Sequence, residues 1–152
     1  MHSFDTSSLL NGRRDLLPPA VFRSVWEKVE RSIVGGEVRA VEVVRDELAR
    51  RDDDVFQWAK AQDGLFMPLT EDVQQATSEV LRAHARLTGV GGGRNHADPF
   101  VIGLAMVHGG TVVTEETKRG NLESPRIPDV CEALGVPCVN LVGFITSQGW
   151  SF

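Results

Sequence analysis

Residues 97–116 read ADPFVIGLAMVHGGTVVTEE, and this stretch contains a helix, a turn and a strand in succession. The Asp-Pro pair opens a strongly apolar helix, because proline suits the first helical turn. The Gly-Gly pair ends that helix, and the TVVT that follows has the composition of a buried strand. The segment therefore predicts one helix–strand unit of an α/β fold.

The same alternation continues through the rest of the chain. In the first half of the chain we predict a strand ending near Asp5 with a polar turn after it, a helix from the Pro-Pro pair at 18–19 to the Gly-Gly pair at 35–36, a strand over 38–41, and helices over 42–51 and around 55–61. An edge or linker segment at 66–69, a helix over 71–87 and a flexible glycine-rich loop at 89–95 are predicted next. After the helix–strand unit we predict a short helix at about 128–134 and a strand at about 138–141. Strands that alternate with helices predict the α/β class, here a three-layer α/β/α sandwich with a central parallel sheet.

Length and composition restrict the class of protein. A chain of 152 residues fits one domain. Its net charge of −5 means that any contact with nucleic acid needs local basic patches or a bound metal. No secretory signal or long apolar run is visible, so we expect a soluble, cytoplasmic protein with no membrane partner. Cys131 and Cys138 match no zinc pattern and are expected to be small, buried, reduced thiols.

Acidic residues follow three of the predicted strands: Asp5, Glu42 and Glu115. In open parallel sheets, ligands gather outside the carboxyl ends of the strands. This position is the first indication of function. A structural role remains open for each acid, since Asp5, for example, could simply begin a turn.

Glu47 and Asp98 carry more information and also have simple alternatives. Glu47 lies one turn beyond Val43 on the apolar side of its helix, where a carboxylate is costly without a partner. The alternative is an ion pair with Arg51 at the edge of that stripe. Asp98 before a proline is typical of a helix N-cap, although a capping carboxylate can also ligate a metal.

The remaining acids are ambiguous. Glu115 and Glu116 are consecutive at a strand end, so at most one should face a shared site. Asp129 lies in the first turn of a helix, where acids are favoured in any case. The three aspartates at 52–54 are predicted to be a solvated charge run. Taken together, the acids suggest one site assembled from distant parts of the chain.

Four segments resemble, in their order and spacing, the PIN-domain family, which includes the VapC-type toxins of bacterial toxin–antitoxin pairs. They are DTS at 5–7, VRDEL at 44–48, ADPFVIG at 97–103 and VVTEE at 112–116. IPDVCEALGV at 127–136 resembles a poorly characterised PIN-like branch. The resemblance implies a single domain over 1–152 with a core at about 3–145.

The resemblance also implies a ribonuclease that uses Mg²⁺ or Mn²⁺. It places the family's metal-binding acids on Asp5, Asp98 and Glu116, and its helix acid on Glu47, which would orient the attacking water or act as a ligand. Glu116 replaces a usual aspartate, and Ser7 stands where many members carry asparagine. Possible additional site residues are Thr6, Ser7, Thr114, Glu115 and Asp129.

Substrate and partners follow from the same resemblance. RNA phosphates need cations near the acids, and Arg13, Arg14 and Arg94 are the candidates, with solvated loop charges as the alternative. A type II toxin is expected to pair with a small antitoxin and to form a homodimer. The alternative function is that of a catalytically degraded PIN-like protein that binds RNA or protein, and Glu116 in place of aspartate favours it.

Other enzyme classes lack their motifs. The glycine-rich loop has no Gly-Lys-Ser/Thr, as a P-loop requires. No G-x-S-x-G elbow is present for a serine hydrolase. A phosphatase built on a strand-one aspartate needs a second acid where this chain has Ser7, and His96 with Asp98 supplies too few ligands for zinc.

Overall fold

The computed structural model describes residues 1–51, 53–88 and 96–152. These residues form a five-stranded sheet in the order β3-β2-β1-β4-β5, in which every neighbouring pair is parallel. The strands are β1 (His2–Phe4), β2 (Val38–Val41), β3 (Phe66–Met67), β4 (Thr111–Val113) and β5 (Cys138–Val139). The helices are α1 (Thr6–Asn11), α2 (Arg23–Val34), α3 (Glu42–Ala49), α4 (Asp54–Lys60), α5 (Glu71–Ala83), α6 (Asp98–His108), α7 (Ile127–Leu134) and α8 (Leu141–Ser147).

Two consecutive residues of β1 show that helices cover both faces of the sheet. Ser3 Oγ donates a hydrogen bond of 2.8 Å to the carbonyl oxygen of Val101 in α6. Phe4 packs edge-on against Phe144 of α8, with ring centroids 5.1 Å apart. Because successive side chains of a strand point to opposite faces, α6 and α8 lie on opposite sides of the sheet. The predicted three-layer α/β/α sandwich is confirmed.

Close packing between α5 and α6 depends on a glycine. A Cβ atom added to Gly103 of α6 would collide with the side-chain oxygen of Thr77 and come within 3.0 Å of its backbone nitrogen. Thr77 is buried, and its hydroxyl donates to the carbonyl oxygen of Val73 within α5. The apolar segment that predicted a buried helix is therefore buried against both the sheet and α5.

Several element boundaries differ from the prediction for local reasons. The predicted polar turn after Asp5 is wrong: the chain forms α1, with Asp5 as its N-cap, and continues in a π-helical turn over Gly12–Leu16. Helix α2 begins at Arg23 rather than at the prolines, because Pro18 instead accepts turn hydrogen bonds from the N–H groups of Val21 and Phe22. Helix α5 ends at Ala83 and is followed by a 3₁₀ turn over Ala85–Thr88.

Two further boundaries concern the sheet and its last helix. The segment at 66–69 contributes the short strand β3 at the edge of the sheet, as its proline had indicated. Helix α8 was not predicted; Asn140 starts it by accepting a hydrogen bond of 2.8 Å from the N–H of Gly143. The predicted glycine-rich loop at 89–95 lies outside the described residues. No helix in the described part of the chain has the length and apolar character to cross a bilayer.

Candidate active site

The strand order creates a topological switch point between β1 and β4, where the direction in which strands are added to the sheet reverses. From β1 the chain proceeds outward to β2 and β3 on one side, and it later returns to build β4 and β5 on the other. Ligands of open α/β sheets bind at such a point, outside the carboxyl ends of the strands. Asp5 directly follows β1, and Glu116 lies three residues beyond the end of β4. The fold thus brings two of the predicted acids, Asp5 and Glu116, to the edge of the sheet where a ligand is expected.

Asp5 is buried and fixed by an extensive set of hydrogen bonds. Its side chain is 3% exposed. Oδ1 accepts from the backbone N–H of Ser8 at 2.7 Å, which is the N-cap bond of α1. Oδ2 accepts from the hydroxyls of Ser7 at 2.8 Å and Thr114 at 2.5 Å. These donors hold the carboxylate in one orientation.

Ser7 and Thr114 also connect Asp5 to the loop after β4. Ser7 Oγ accepts a hydrogen bond of 2.9 Å from the N–H of Glu115. Thr114 Oγ1 accepts one of 3.1 Å from the N–H of Glu116. Both hydroxyls therefore donate to the carboxylate and accept from the backbone. The two additional candidates Ser7 and Thr114 lie in the site and fix the relative positions of its two strand ends.

Asp98 does not act as the helix cap that its Asp-Pro pattern suggested. Ala97 occupies the N-cap position of α6, and Asp98 is the first helical residue, followed by proline. The Asp98 side chain is 9% exposed, and its Oδ2 is buried without a hydrogen-bond partner among the described residues. A buried carboxylate oxygen with no donor is energetically costly, so this atom needs a ligand or a proton.

Glu47 and Glu116 complete the group. Glu47 of α3 accepts a hydrogen bond of 3.2 Å from the N–H of Ala97, the residue before Asp98. The ion pairs of the described residues do not include the alternative partner Arg51. Glu116 Oε2 accepts from the N–H of Ile127 at 3.4 Å, at the start of α7. Both carboxylates are thus tied to helix N-termini that border the site.

The pKa values of all four carboxyl groups are raised, and the charge of Asp5 contributes to the rise in the other three. Burial raises the pKa of Asp98 to about 9, and the charges of Glu116, Asp5 and Glu47 contribute to that rise. Burial and the charge of Asp5 raise the pKa of Glu116 to about 7. Burial also raises the pKa values of Asp5 and Glu47, against the lowering effect of their hydrogen bonds. Side chains far apart in sequence therefore share one electrostatic environment, which we call the acid cluster: Asp5, Glu47, Asp98 and Glu116.

The donor set of the acid cluster suits a hard divalent cation. Carboxylate oxygens bind Mg²⁺ and Mn²⁺, and the unpartnered Oδ2 of Asp98 offers a free oxygen. Within the described residues, no three His, Cys, Asp or Glu side chains form a ready-made metal-binding group. Mg²⁺ usually keeps several waters and is bound through one or two carboxylates, so the residues present fit such an ion. Asp98 and Asp5 would hold it, with Glu116 beside them.

The structure gives other candidates structural roles. Glu115 Oε1 accepts a hydrogen bond of 2.7 Å from the N–H of Leu141, at the start of α8. Asp129 accepts three backbone hydrogen bonds of 2.9 Å, from Arg119, Gly120 and Arg126. Although burial alone would raise the pKa of Asp129, these N–H groups hold it below its usual value. Glu116, in contrast, interacts electrostatically with Asp5, Glu47 and Asp98, so we assign Glu116 to the cluster.

The chain matches, over residues 2–152, the family described as "Domain of unknown function (DUF4411)". The chain belongs to the DUF4411 family. A comparison with curated proteins finds no significant match. The description of DUF4411 carries no activity, so the resemblance to PIN domains stays a prediction.

Sequence reasoning missed two backbone groups of this DUF4411 site. Ser8 donates its N–H to Asp5 Oδ1 and its hydroxyl to the carbonyl oxygen of Asp5 at 2.8 Å. The three-residue spacing from Asp5 to Ser8 is that of an N-cap, and it could have revealed α1. No sequence pattern marks the N–H of Ala97 as a hydrogen-bond donor to Glu47. The Thr6 hydroxyl lies near enough to Glu47 to lower that group's pKa slightly, yet it forms no hydrogen bond of normal geometry.

The arginines proposed for RNA lie in different surroundings. The Arg13 guanidinium lies over the rings of Trp58, at 4.3 Å, and Trp26, at 5.1 Å. Arg14 is exposed and forms an ion pair of 3.0 Å with Asp15. Arg13 is therefore not the solvated loop charge of the alternative interpretation. Arg94 lies outside the described residues.

The two free cysteines lie near the acid cluster. Cys131 of α7 is buried, and Cys138 of β5 is half-buried. A hydrogen bond with Cys138 raises the pKa of the Cys131 thiol, and burial adds to that effect. The charges of Asp5 and Glu116 act on both thiols. The prediction that both thiols are buried is therefore right for Cys131 and wrong for Cys138.

Proposed function

We propose that this protein is a metal-dependent endoribonuclease of the PIN type, the toxin of a type II toxin–antitoxin pair. It cleaves RNA phosphodiester bonds with Mg²⁺ or Mn²⁺ at the acid cluster. The observation that carries the proposal is the unpartnered Oδ2 of Asp98, buried among three other carboxyl groups. Such a group destabilises the folded chain unless it binds a cation or a proton, and a strongly perturbed carboxyl group in a cluster of acids points to function.

The cation supplies positive charge that offsets the like charges of the carboxylates and the phosphodiester and stabilises the transition state. The residues of the chain provide orientation. Ser7, Ser8 and Thr114 fix the carboxylate of Asp5. Glu47, whose Oε1 is anchored by the N–H of Ala97, orients the attacking water. A cation at this site also reconciles RNA as a substrate with a net charge of −5.

A second candidate function is a degraded PIN-like module that binds RNA or protein without cleaving it. Two observations favour it. Glu116 stands where aspartate is usual in the resembling family, and the described residues contain no three-ligand group that is already assembled. In this case the acid cluster still binds a divalent ion but produces no cleavage.

RNA cleavage in the presence of Mn²⁺ tests the proposal. We expect the wild-type protein to cut single-stranded RNA, and we expect Asp98→Asn and Glu47→Gln to reduce the rate at least about 100-fold. Asp46→Asn is the matched control, because Asp46 is the exposed neighbour of Glu47 in α3 and faces away from it. Equal cleavage by wild type and Asp98→Asn would reject the site. Mn²⁺ binding without cleavage, over a broad set of RNAs, would instead support the binding module.

Partners and location belong to the same proposal. A small antitoxin encoded beside the toxin covers the acid cluster, the toxin forms a homodimer, and the pair acts in the cytoplasm. Co-expression tests this proposal directly. A neighbouring open reading frame should relieve the growth arrest caused by the wild-type protein, whereas Asp98→Asn should cause no arrest.

A further inference from the structure

A cleft at the π-helical turn lies outside the acid cluster. It has a volume of about 420 Å³, within the range of small-molecule sites. Its lining residues are Arg13, Arg14, Pro18, Pro19, Asp53, Asp54 and Val55. Prolines and valine give it apolar walls, while arginines and aspartates place donors and acceptors in the same space. We call it the Arg13 cleft.

Arg13 is the unusual member of this cleft. Its Nη1 is buried and has no hydrogen-bond partner among the described residues. Burial lowers the pKa of the guanidinium, and the charge of Glu30 offsets this only in part. Glu30 itself accepts a hydrogen bond of 2.8 Å from Nε1 of Trp58, the ring under Arg13. The guanidinium thus lies against two aromatic rings and has donor capacity that no described residue uses, which is typical of a recognition group.

The local charge argues against a phosphate site. The two arginines are opposed by three aspartates, because Asp15 pairs with Arg14 and Asp53 and Asp54 line the cleft. One Asp53 oxygen caps α4, accepting from the N–H groups of Val55 and Phe56 at 3.1 Å. Asp54 is exposed in the first turn of the same helix. A neutral group that both donates and accepts hydrogen bonds matches this arrangement better than an anion does.

We propose that the Arg13 cleft binds a guanine base of single-stranded RNA. Guanine offers the acceptors O6 and N7, which arginine recognises, and the N–H donors of its Watson–Crick edge, which a carboxylate accepts. Its flat ring fits between the apolar walls of the cleft. The proposal deepens the proposed function, since it names the base preference of the RNA substrate. Arg13 follows Asp5 by eight residues of nearly continuous helical chain, about 12 Å at 1.5 Å per residue, which one or two nucleotides can span.

Calorimetric titration in EDTA with the dinucleotides GpU, IpU and ApU tests this proposal without any cleavage. We expect GpU to bind about tenfold more tightly than ApU, with IpU weaker than GpU because inosine lacks the exocyclic amino donor. Asp54→Asn should abolish the preference. Asp72→Asn is the matched control, since it removes an acid from the first turn of α5 and loses the same helix-dipole interaction.

The outcomes separate this inference from the proposed function. Equal binding of the three dinucleotides would mean that only the sugar–phosphate backbone is recognised, and no binding at all would mean that the cleft serves another partner; either result overturns the inference. Asp98→Asn should keep the GpU preference, because Asp98 is not part of the cleft. A wild-type protein that prefers GpU but cleaves no RNA would reject the ribonuclease and leave the guanine site standing.

Discussion

Thr114 Oγ1 donates a hydrogen bond to Asp5 Oδ2 and accepts one from the backbone N–H of Glu116. This single hydroxyl joins the carboxyl ends of the neighbouring strands β1 and β4, through two residues 109 apart in sequence. It also sets the position of Glu116 relative to Asp5, since the loop after β4 starts from this bond. The geometry of the acid cluster therefore depends on a residue that carries no charge.

Replacing Thr114 with valine should destabilise the protein. Valine keeps the shape but removes the donor to Asp5 and the acceptor for Glu116, and buried groups that lose their partners cost about 1–3 kcal/mol each. We expect the free energy of unfolding to fall by about 2 kcal/mol in urea denaturation. Thr114→Ser, which keeps the hydroxyl, should retain most of the stability. A valine variant as stable as wild type would show that the bond to Asp5 is unimportant.

The sequence predicted the layers of the fold better than the structure of its first loop. Apolar segments located β2, β4 and α6, because each is mostly buried and has a glycine or proline at or near its border. Helix α1 was missed because its polar residues resemble a turn, although Asp5 caps it through Ser8. The boundaries of α2 and α5 depend on local turn hydrogen bonds that periodicity does not encode.

Prediction of the candidate site was limited in a different way. The acids could be selected from their positions after strands and on a buried stripe, but their roles depended on which backbone N–H groups the fold brings to them. Asp129 resembled a site acid until three such groups occupied it. Asp98 resembled a cap, yet its carboxylate makes no capping bond. Pattern alone cannot distinguish these two cases, because both acids start a helix beside a proline.

Stability in EDTA should depend on pH through Asp98. Its pKa is raised in the folded state from about 3.8 to about 9, so the native protein binds more protons than the unfolded chain between these values. The free energy of unfolding should therefore fall as pH rises through this window. Asn cannot ionise, so we expect the stability of Asp98→Asn relative to wild type to increase by about 4–5 kcal/mol from pH 5 to pH 8.5, at about 1.4 kcal/mol per pH unit.

Asp129→Asn provides the control of opposite sign. The pKa of Asp129 is lowered in the folded state, so its carboxylate stabilises the protein above the unfolded pKa and loses that effect in acid. This variant should be less stable than wild type at both pH 5 and pH 8.5, by a similar amount. If Asp98→Asn showed the same flat difference, the electrostatic conflict at the acid cluster would be refuted.

Close contact between α5 and α6 should make Gly103→Ala destabilising. A methyl group there meets both the side chain and the backbone of Thr77, so one helix must move, and such overpacking costs about 1–3 kcal/mol. Gly35→Ala is the control, because its nearest neighbour would lie at 3.4 Å and its φ of −73° suits alanine. Thermal denaturation should show a lower Tm for Gly103→Ala only. Equal Tm values for the two variants would contradict the packing described for these helices.

Mn²⁺ should raise the Tm of the wild-type protein, because a ligand that binds only the folded state stabilises it. The shift should disappear in Asp98→Asn and in Asp5→Asn, and it should persist in Asp129→Asn. Differential scanning fluorimetry with and without EDTA measures it. A shift that survives in Asp98→Asn would place the ion elsewhere on the protein.

The most direct test of the acid cluster is anomalous diffraction from a crystal soaked in Mn²⁺. We expect one strong anomalous peak at the carboxyl ends of β1 and β4, with oxygen ligands from Asp98 and Asp5 at about 2.0–2.2 Å and waters in the remaining positions. Full occupancy of Mn²⁺ at some other surface, with Asp98 Oδ2 still unligated, would contradict the central claim.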